Sequence, residues 1–274
     1  DEIQSIGPFK CPPINFVTEF FNKYKGQLTV INGLDTQTNA HEPGRRHVWS
    51  GTLSEGYPTM AALIAGVHAP AAPMAFISDG GYENTAGVVG ATRADDKKLD
   101  ILKLIANPNF IDAEGTKLYH DAEIGDMIQK TRMARLQGLK ENQRLPRLQA
   151  SMGSLYTARL GQKHLRKLTK HLGNVDTGES RLIQQARLSL AAYQAGLCVG
   201  AHLSTGGFDT HSDHDNRQST AMQRLINGVD FIMTEAENRG IQDQIVVVVS
   251  SEFSRTPGYN SNNGDVSDNI GNDT

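Results

Sequence analysis

Cysteine is scarce: the 274 residues contain only Cys11 and Cys198. One disulfide is the most the chain can form, and the spacing gives it no support. Cys198 lies in the apolar run "GLCVGAHL" and reads as a buried free thiol. Cysteine usage therefore does not fix the compartment. Long apolar runs are also missing, and none approaches the ~18 residues of a membrane-spanning helix. The first residues, Asp1, Glu2 and Ile3, carry no secretory leader, which speaks for this chain and not for a precursor. Charge of one sign is lacking as well. A net charge of −3 argues neither for nor against an anionic partner. Aromatic residues make up only 6% of the chain, with a single tryptophan. What remains is ordinary globular material, 38% hydrophobic and 21% charged, long enough for one large domain or two ordinary ones.

The hydrophobic pattern alternates strands with helices. "QLTVING" (Gln27–Gly33) reads as a strand closed by an Asn-Gly turn. "YPTMAALIAGVHA" reads as a helix with Pro58 near its first turn. "PMAFIS" (Pro73–Ser78) is a second strand, ended by "DGG". "DDKKLDILKLIANP" is helical and stops before Pro108. From about Glu114 to Leu172 runs a mostly helical stretch interrupted at Pro146. "ESRLIQQARLSLAAYQAG" places Leu182, Ala186, Leu190 and Tyr193 along one helical face, with Gly196 as a stop. "LCVGAHLS" is a third strand. "TAMQRLINGVDFIMTEAENRG" is another helix, closed by Gly240. "DQIVVVVSSE" carries the strongest strand signal. Its unbroken run Ile245–Val249 predicts a strand buried on both faces of a parallel sheet. Together these predict an α/β sandwich with a helical insertion.

Between Lys130 and Lys170 the chain has eleven Lys/Arg and a single acid, Glu141. A solvated helical face is the ordinary reading, and a surface for an anionic substrate or polymer is the sharper one. Nucleic acid is disfavoured, because the stretch lacks a recognisable binding motif and has few aromatics to stack bases.

Ligands of open α/β sheets bind outside the carboxyl ends of the strands. Two expected strands end in ligand-type residues. Leu197–Leu203 runs into "STGGFDTHSDHDN", which holds Gly206, Gly207, Asp209 and His211. Ile245–Val249 runs into Ser250, Ser251, Glu252, Ser254 and Arg255. If these strands are parallel neighbours, Asp209, His211 and Glu252 meet at one edge. Carboxylate with imidazole suits a divalent metal, Zn or Mn in preference to Mg or Ca. In an extended Asp-x-His the two side chains point the same way, so Asp209 and His211 can face one ion. His214 needs a further turn to join them. The competing reading is a polar loop, with Asp213 or Asp215 capping the following helix. A third cluster, "NGLDTQTNAHEPGRRHVWSG", holds Thr38, Asn39, His41, Arg45 and Arg46. Either guanidinium matches phosphate or sulfate with two hydrogen bonds.

"GGFDTH", followed one helix later by "IVVVVSSEFSRTP", resembles domain-of-unknown-function family 1501, bacterial and usually exported sulfatase-like proteins. "VINGLDTQTNAHEPGRRHVWSG" is similar to that family's N-terminal motif region. The likeness runs from about Phe16 to Asn260, with Phe208 where Trp is commoner and Ser254 where Gly is commoner. The family is similar in turn to the alkaline phosphatase superfamily. The resemblance implies a three-layer α/β sandwich with a mostly parallel central sheet, alkaline phosphatase-like, as a single domain over residues 1–274. Within it fall a helical insertion at 112–175 and a loop-like tail at 257–274, the whole truncated at both ends. It implies Asp209, His211 and Glu252 as metal ligands, with His214 as a further candidate. The relatives' second ligand set is usually Asp-His, where this chain has "SEF". The relatives' nucleophile position falls on or near His41, beside Thr38 and Asn39, with no Ser or Cys in the slot. Arg45, Arg46 and Arg255 would hold the anion. The expected function is metal-dependent hydrolysis of a phosphate or sulfate ester, of a small molecule or saccharide, in the periplasm or outside the cell. The alternative is a non-catalytic exported binding or scaffold protein that keeps the fold.

Overall fold

The structure is a computed structural model. It describes residues 2–70, 72–93, 103–104, 106–112, 115–142, 144–145, 164–173, 178–255, 258–259 and 263–264. Much of the expected helix before Pro108, the interruption at Pro146 and most of the 257–274 tail lie outside these residues. So does part of the basic stretch.

Sequence pattern predicts no element before Gln27, yet the chain opens with a hairpin. β1 (Gln4–Ile6) and β2 (Phe9–Cys11) pair antiparallel around Gly7. The hairpin packs on α1 (Asn15–Tyr24) through Ile6, Cys11 and Val17. At the end of α1, the Tyr24 hydroxyl donates to Asp230 at 2.8 Å and Lys23 pairs with the same carboxylate at 2.5 Å. α2 (His41–Ser50) and α3 (Met60–His68) follow, α3 close to where the pattern puts it.

The central feature is a small parallel sheet of β3 (Phe76–Ser78), β4 (Ala91–Arg93) and β5 (Gly200–His202), in the order β4-β3-β5. Phe76 pairs with Ala91 on one side and Gly200 on the other. Successive strand side chains point to opposite faces. Phe76 accordingly joins Ala62 and Ala65 of α3, while Ile77 joins Leu168, Leu172, Leu188, Ala191 and Leu197. The second cluster unites a helical segment at 164–172 with α5 (Arg181–Gln194), so this part of the expected insertion belongs to the core. α4 (Ala122–Asn142) is another helix described in that region. Ser180 caps α5, accepting from the Ile183 N–H at 3.4 Å. α3 rides directly on β5, and a Cβ at Gly200 would drive into the Ala61 carbonyl. α6 (His214–Asn238) lies along α5.

The protein is thus mixed α/β with a three-stranded parallel sheet, and two strand expectations need correction. Among the described residues, Gln27–Gly33 is a turn followed by chain with no strand partner, and Ile245–Val249 has none either, after a short 3-10 turn at Gln242–Gln244. A β-rich composition favours an extended backbone but supplies no hydrogen-bonding partner. Val246 is 88% exposed where a doubly buried strand was expected, and only Ile245 reaches the Leu190–Ala236–Ile241 cluster. β4, by contrast, carries too short a pattern to be read in advance. No described helix is long and apolar enough to cross a membrane.

Candidate functional site

Three segments converge although the expected parallel strand pair does not form. The first is α2, a helix that the hydrophobic pattern does not announce. Its first residue is His41, with Glu42 and Pro43 in the first turn, both suited to a helix start. Gly51 ends it in the left-handed conformation at φ 75°, and its N–H reaches the His47 carbonyl at 2.8 Å. The His47 ring donates from Nδ1 to the Thr36 carbonyl at 2.8 Å, tying the helix to the preceding chain.

The second segment leaves β5 and turns at Gly207, where φ is +96°. Thr210 is fully buried and its hydroxyl meets His214 Nδ1 at 2.8 Å. With Thr210 turned inwards, its neighbours Asp209 and His211 project together on the other side. His211 Nε2 contacts Asp209 Oδ1 at 2.9 Å, so the two side chains share a direction but bond to each other. The third segment is the chain at Glu252, Phe253 and Arg255.

His41 joins them. Its Nδ1 lies 2.8 Å from Glu252 Oε1 and its Nε2 lies 3.5 Å from Asp209 Oδ2. Arg255 donates to Asp209 Oδ1 at 3.0 Å, and Arg45 sits 3.8 Å from Glu252 while pairing with Glu42 at 3.0 Å. The Phe253 ring lies 5.0 Å from the His41 ring, with the Arg255 guanidinium 5.6 Å from its centroid. Partial burial works to raise the Asp209 carboxyl. The charges and hydrogen bonds of His211 and Arg255 outweigh it and hold the group below the usual carboxylate range. The approach of α2 to this segment depends on Gly44, because a Cβ there would stand 2.7 Å from the Glu252 carbonyl oxygen.

Of the predicted site residues, His41, Arg45, Asp209, His211, Glu252 and Arg255 come together. The others are placed elsewhere. Thr38 accepts the Ala40 N–H through its hydroxyl at 3.1 Å, and Asn39 is exposed before α2. Arg46 turns to the Leu53 carbonyl at 2.7 Å and to Glu55 at 3.0 Å. His214 is engaged by Thr210 and by the Tyr259 ring at 5.5 Å. Asp213 occupies the N-cap position of α6 without a side-chain cap bond, and accepts instead from Asn216 at 2.8 Å. Asp215 lies in the first turn and accepts from the Tyr259 hydroxyl at 2.6 Å. Phe253 and Gly44 have roles the sequence reading misses. Their only signals are an aromatic directly after Glu252 and a glycine inside a helix.

A second polar cluster sits at the ends of β3 and β5. The Asp79 side chain is 4% exposed, pairs with Arg181 at 3.1 Å and accepts from Gln185. Gln185 in turn accepts from the Ser204 N–H at 3.0 Å, fixing the chain that leads to Asp209. His202 is buried beside Trp49 with ring centroids 4.8 Å apart, and burial holds its pKa below the ordinary histidine value.

Whether a divalent ion fits turns on spacing. Among the described residues, no three His, Cys, Asp or Glu side chains already stand as a ligand set. One pair does have suitable spacing. The 3.5 Å from His41 Nε2 to Asp209 Oδ2 matches the ~3.4 Å edge of a tetrahedron with bonds of about 2.1 Å. The contact at 2.9 Å between His211 and Asp209 is a hydrogen bond instead.

Fold and cluster define a mixed α/β chain whose candidate site is a histidine between two carboxylates, flanked by two arginines. Residues 192–265 match the family described as Protein of unknown function (DUF1501), which supports the family that the late motifs resemble. The matched stretch contains Asp209, His211, Glu252 and Arg255, while His41 and Arg45 lie before it. No curated protein and no solved structure matches the chain.

Proposed function

We propose that the protein is a metal-dependent hydrolase of phosphate or sulfate esters, built on a sulfatase-like, alkaline phosphatase-type sandwich. The observation that supports this most is His41 standing between Asp209 and Glu252, with Arg45 and Arg255 on either flank. His41 Nε2 and Asp209 Oδ2 are the donor pair for Zn or Mn, with His211 held on Asp209 Oδ1 and Glu252 on His41 Nδ1. A bound ion of this kind polarises the ester oxygen and lowers the pKa of water toward ~7. Arg255 and Arg45 hold the ester's anionic oxygens, since a guanidinium presents two parallel donors. His211 and Arg255 keep Asp209 ionised and turned toward His41. The substrate is an exposed small-molecule or saccharide ester, consistent with side chains at His41 and Asp209 that are each 44% exposed. Export to the periplasm or beyond follows from the family resemblance alone.

The test is metal content by elemental analysis, together with turnover of aryl phosphate and aryl sulfate esters under added Zn or Mn. Uptake of about one ion per chain, lost in Asp209→Asn, is the expected result. Unchanged metal content in Asp209→Asn and His41→Gln would sink the reading.

A second reading, a binding protein that retains the fold without catalysis, has its own support. Among the described residues no Ser, Thr or Cys hydrogen-bonds to His41, and the Thr38 hydroxyl is already occupied by the chain. Stoichiometric anion binding without turnover distinguishes it.

A further inference from the structure

Glu252 has a more specific task than that of one more carboxylate in the cluster. An ionised carboxylate can only accept, so the 2.8 Å contact places a proton on His41 Nδ1. In the neutral imidazole the other nitrogen then carries a lone pair. That nitrogen, Nε2, faces Asp209 Oδ2 at 3.5 Å. Two acceptors facing each other repel unless a cation or proton lies between them. His211 and Arg255 both reach Oδ1, so neither relieves the Oδ2 side.

We propose that Glu252 is a positioning residue that fixes His41 as the Nδ1–H tautomer, leaving the Nε2 lone pair toward Asp209 as a ready-made donor pair for a divalent cation. The inference rests on the hydrolase reading for that cation, and on the contacts of Glu252 alone for the tautomer. Two further contacts hold the arrangement. Phe253, the next residue, packs its ring 5.0 Å from the imidazole, limiting its rotation. Gly44 lets the Glu252 backbone approach α2 closely enough for the carboxylate to reach a residue one turn earlier. Carboxylates that orient a ligand histidine in this way typically strengthen metal binding 10- to 100-fold. The cluster in this form has a layered design: Glu252 acts on His41, and His211 with Arg255 act on Asp209.

The experiment is nitrogen-15 NMR of the full chain with labelled histidine at pH 8.5, with His41→Gln assigning the signals. The metal-free wild type is expected to show a protonated Nδ1 and an unprotonated Nε2 at His41. Glu252→Gln keeps an accepting oxygen and is expected to retain that pattern. Glu252→Ala is expected to collapse it to a tautomer average and to weaken Zn binding 10- to 100-fold by calorimetry. An Nε2–H tautomer, or a ring protonated on both nitrogens, in the wild type overturns the inference, as does an unchanged tautomer in Glu252→Ala. The two proposals fail separately. The expected tautomer without metal uptake keeps Glu252 as the positioning residue and removes the cation together with the hydrolase reading, whereas metal uptake with the wrong tautomer does the reverse.

Discussion

Replacing Gly44 with alanine sets a local gain against a tertiary clash. Within a helix, Gly→Ala normally stabilises by about 1 kcal/mol. In α2, however, the added Cβ would lie 2.7 Å from the Glu252 carbonyl oxygen and 3.0 Å from the Glu252 Cβ. Ordinary contact begins at 3.4 Å, so the two segments must part by about 0.7 Å, the difference between 3.4 and 2.7. The struck atoms are backbone and its first carbon, so no flexible side-chain tip can give way. Overpacking of this kind costs about 1–3 kcal/mol, which leaves Gly44→Ala less stable by up to about 2 kcal/mol after the helix gain. The same shift would stretch the 2.8 Å His41–Glu252 bond toward 3.5 Å, where it no longer counts as one. Urea unfolding followed by the fluorescence of Trp49, the only tryptophan, measures the first effect. A midpoint lower by up to about 1 M is expected. The histidine NMR spectrum measures the second. A Gly44→Ala chain as stable as wild type, with an unchanged His41 signal, would refute the packing argument.

Three further predictions concern the scaffold. Burial holds the folded-state pKa of His202 below the ordinary histidine value of about 6.5, so the unfolded chain takes up the proton first as pH falls. Its stability contribution is whole above about pH 7 and declines below about 6.5 until the folded-state pKa is passed. Urea midpoints at pH 7.5 and 5.5 should show that decline, and His202→Gln should reduce it. Burial pushes the Cys198 thiol up to about 12, so Ellman's reagent at pH 8 should label neither buried cysteine until denaturant is added; rapid native labelling would contradict this. Gln185→Ala removes a partner from the buried Asp79 carboxylate and should cost about 1–3 kcal/mol, read as a lower urea midpoint.

Much of the site was legible in the sequence, and less of the sheet. Asp-x-His spacing is local, so the shared direction of Asp209 and His211 follows from strand alternation alone. α3, α5 and most of α6 follow from helical periodicity, which a segment carries without needing a partner. Strands lack that independence. Ile245–Val249 has the strongest β signal in the chain yet hydrogen-bonds to no strand among the described residues, while Ala91–Arg93 has almost none and pairs along β3. Pairing is decided by neighbours distant in sequence, and a single sequence does not display them. The same limit hid α2, because "HEPGRRHVWS" is polar all round and contains both Pro and Gly. Its start with Glu and Pro in the first turn is a helix signal that loop-like composition masks. The role of Gly44 and the His41–Glu252 contact could not be read at all, since each depends on a chain segment about two hundred positions away.

That separation has a consequence for the nascent chain. His41 and Glu252 are 211 residues apart. At synthesis rates of about 5–20 residues per second, roughly 10–40 s pass between the making of one and the making of the other. Throughout that interval the growing polypeptide has His41 but not the Glu252 carboxylate that completes the clasp. Any reactivity the cluster confers is therefore withheld from the ribosome-bound intermediate and from prematurely released fragments, and appears only when an early and a late segment close on each other.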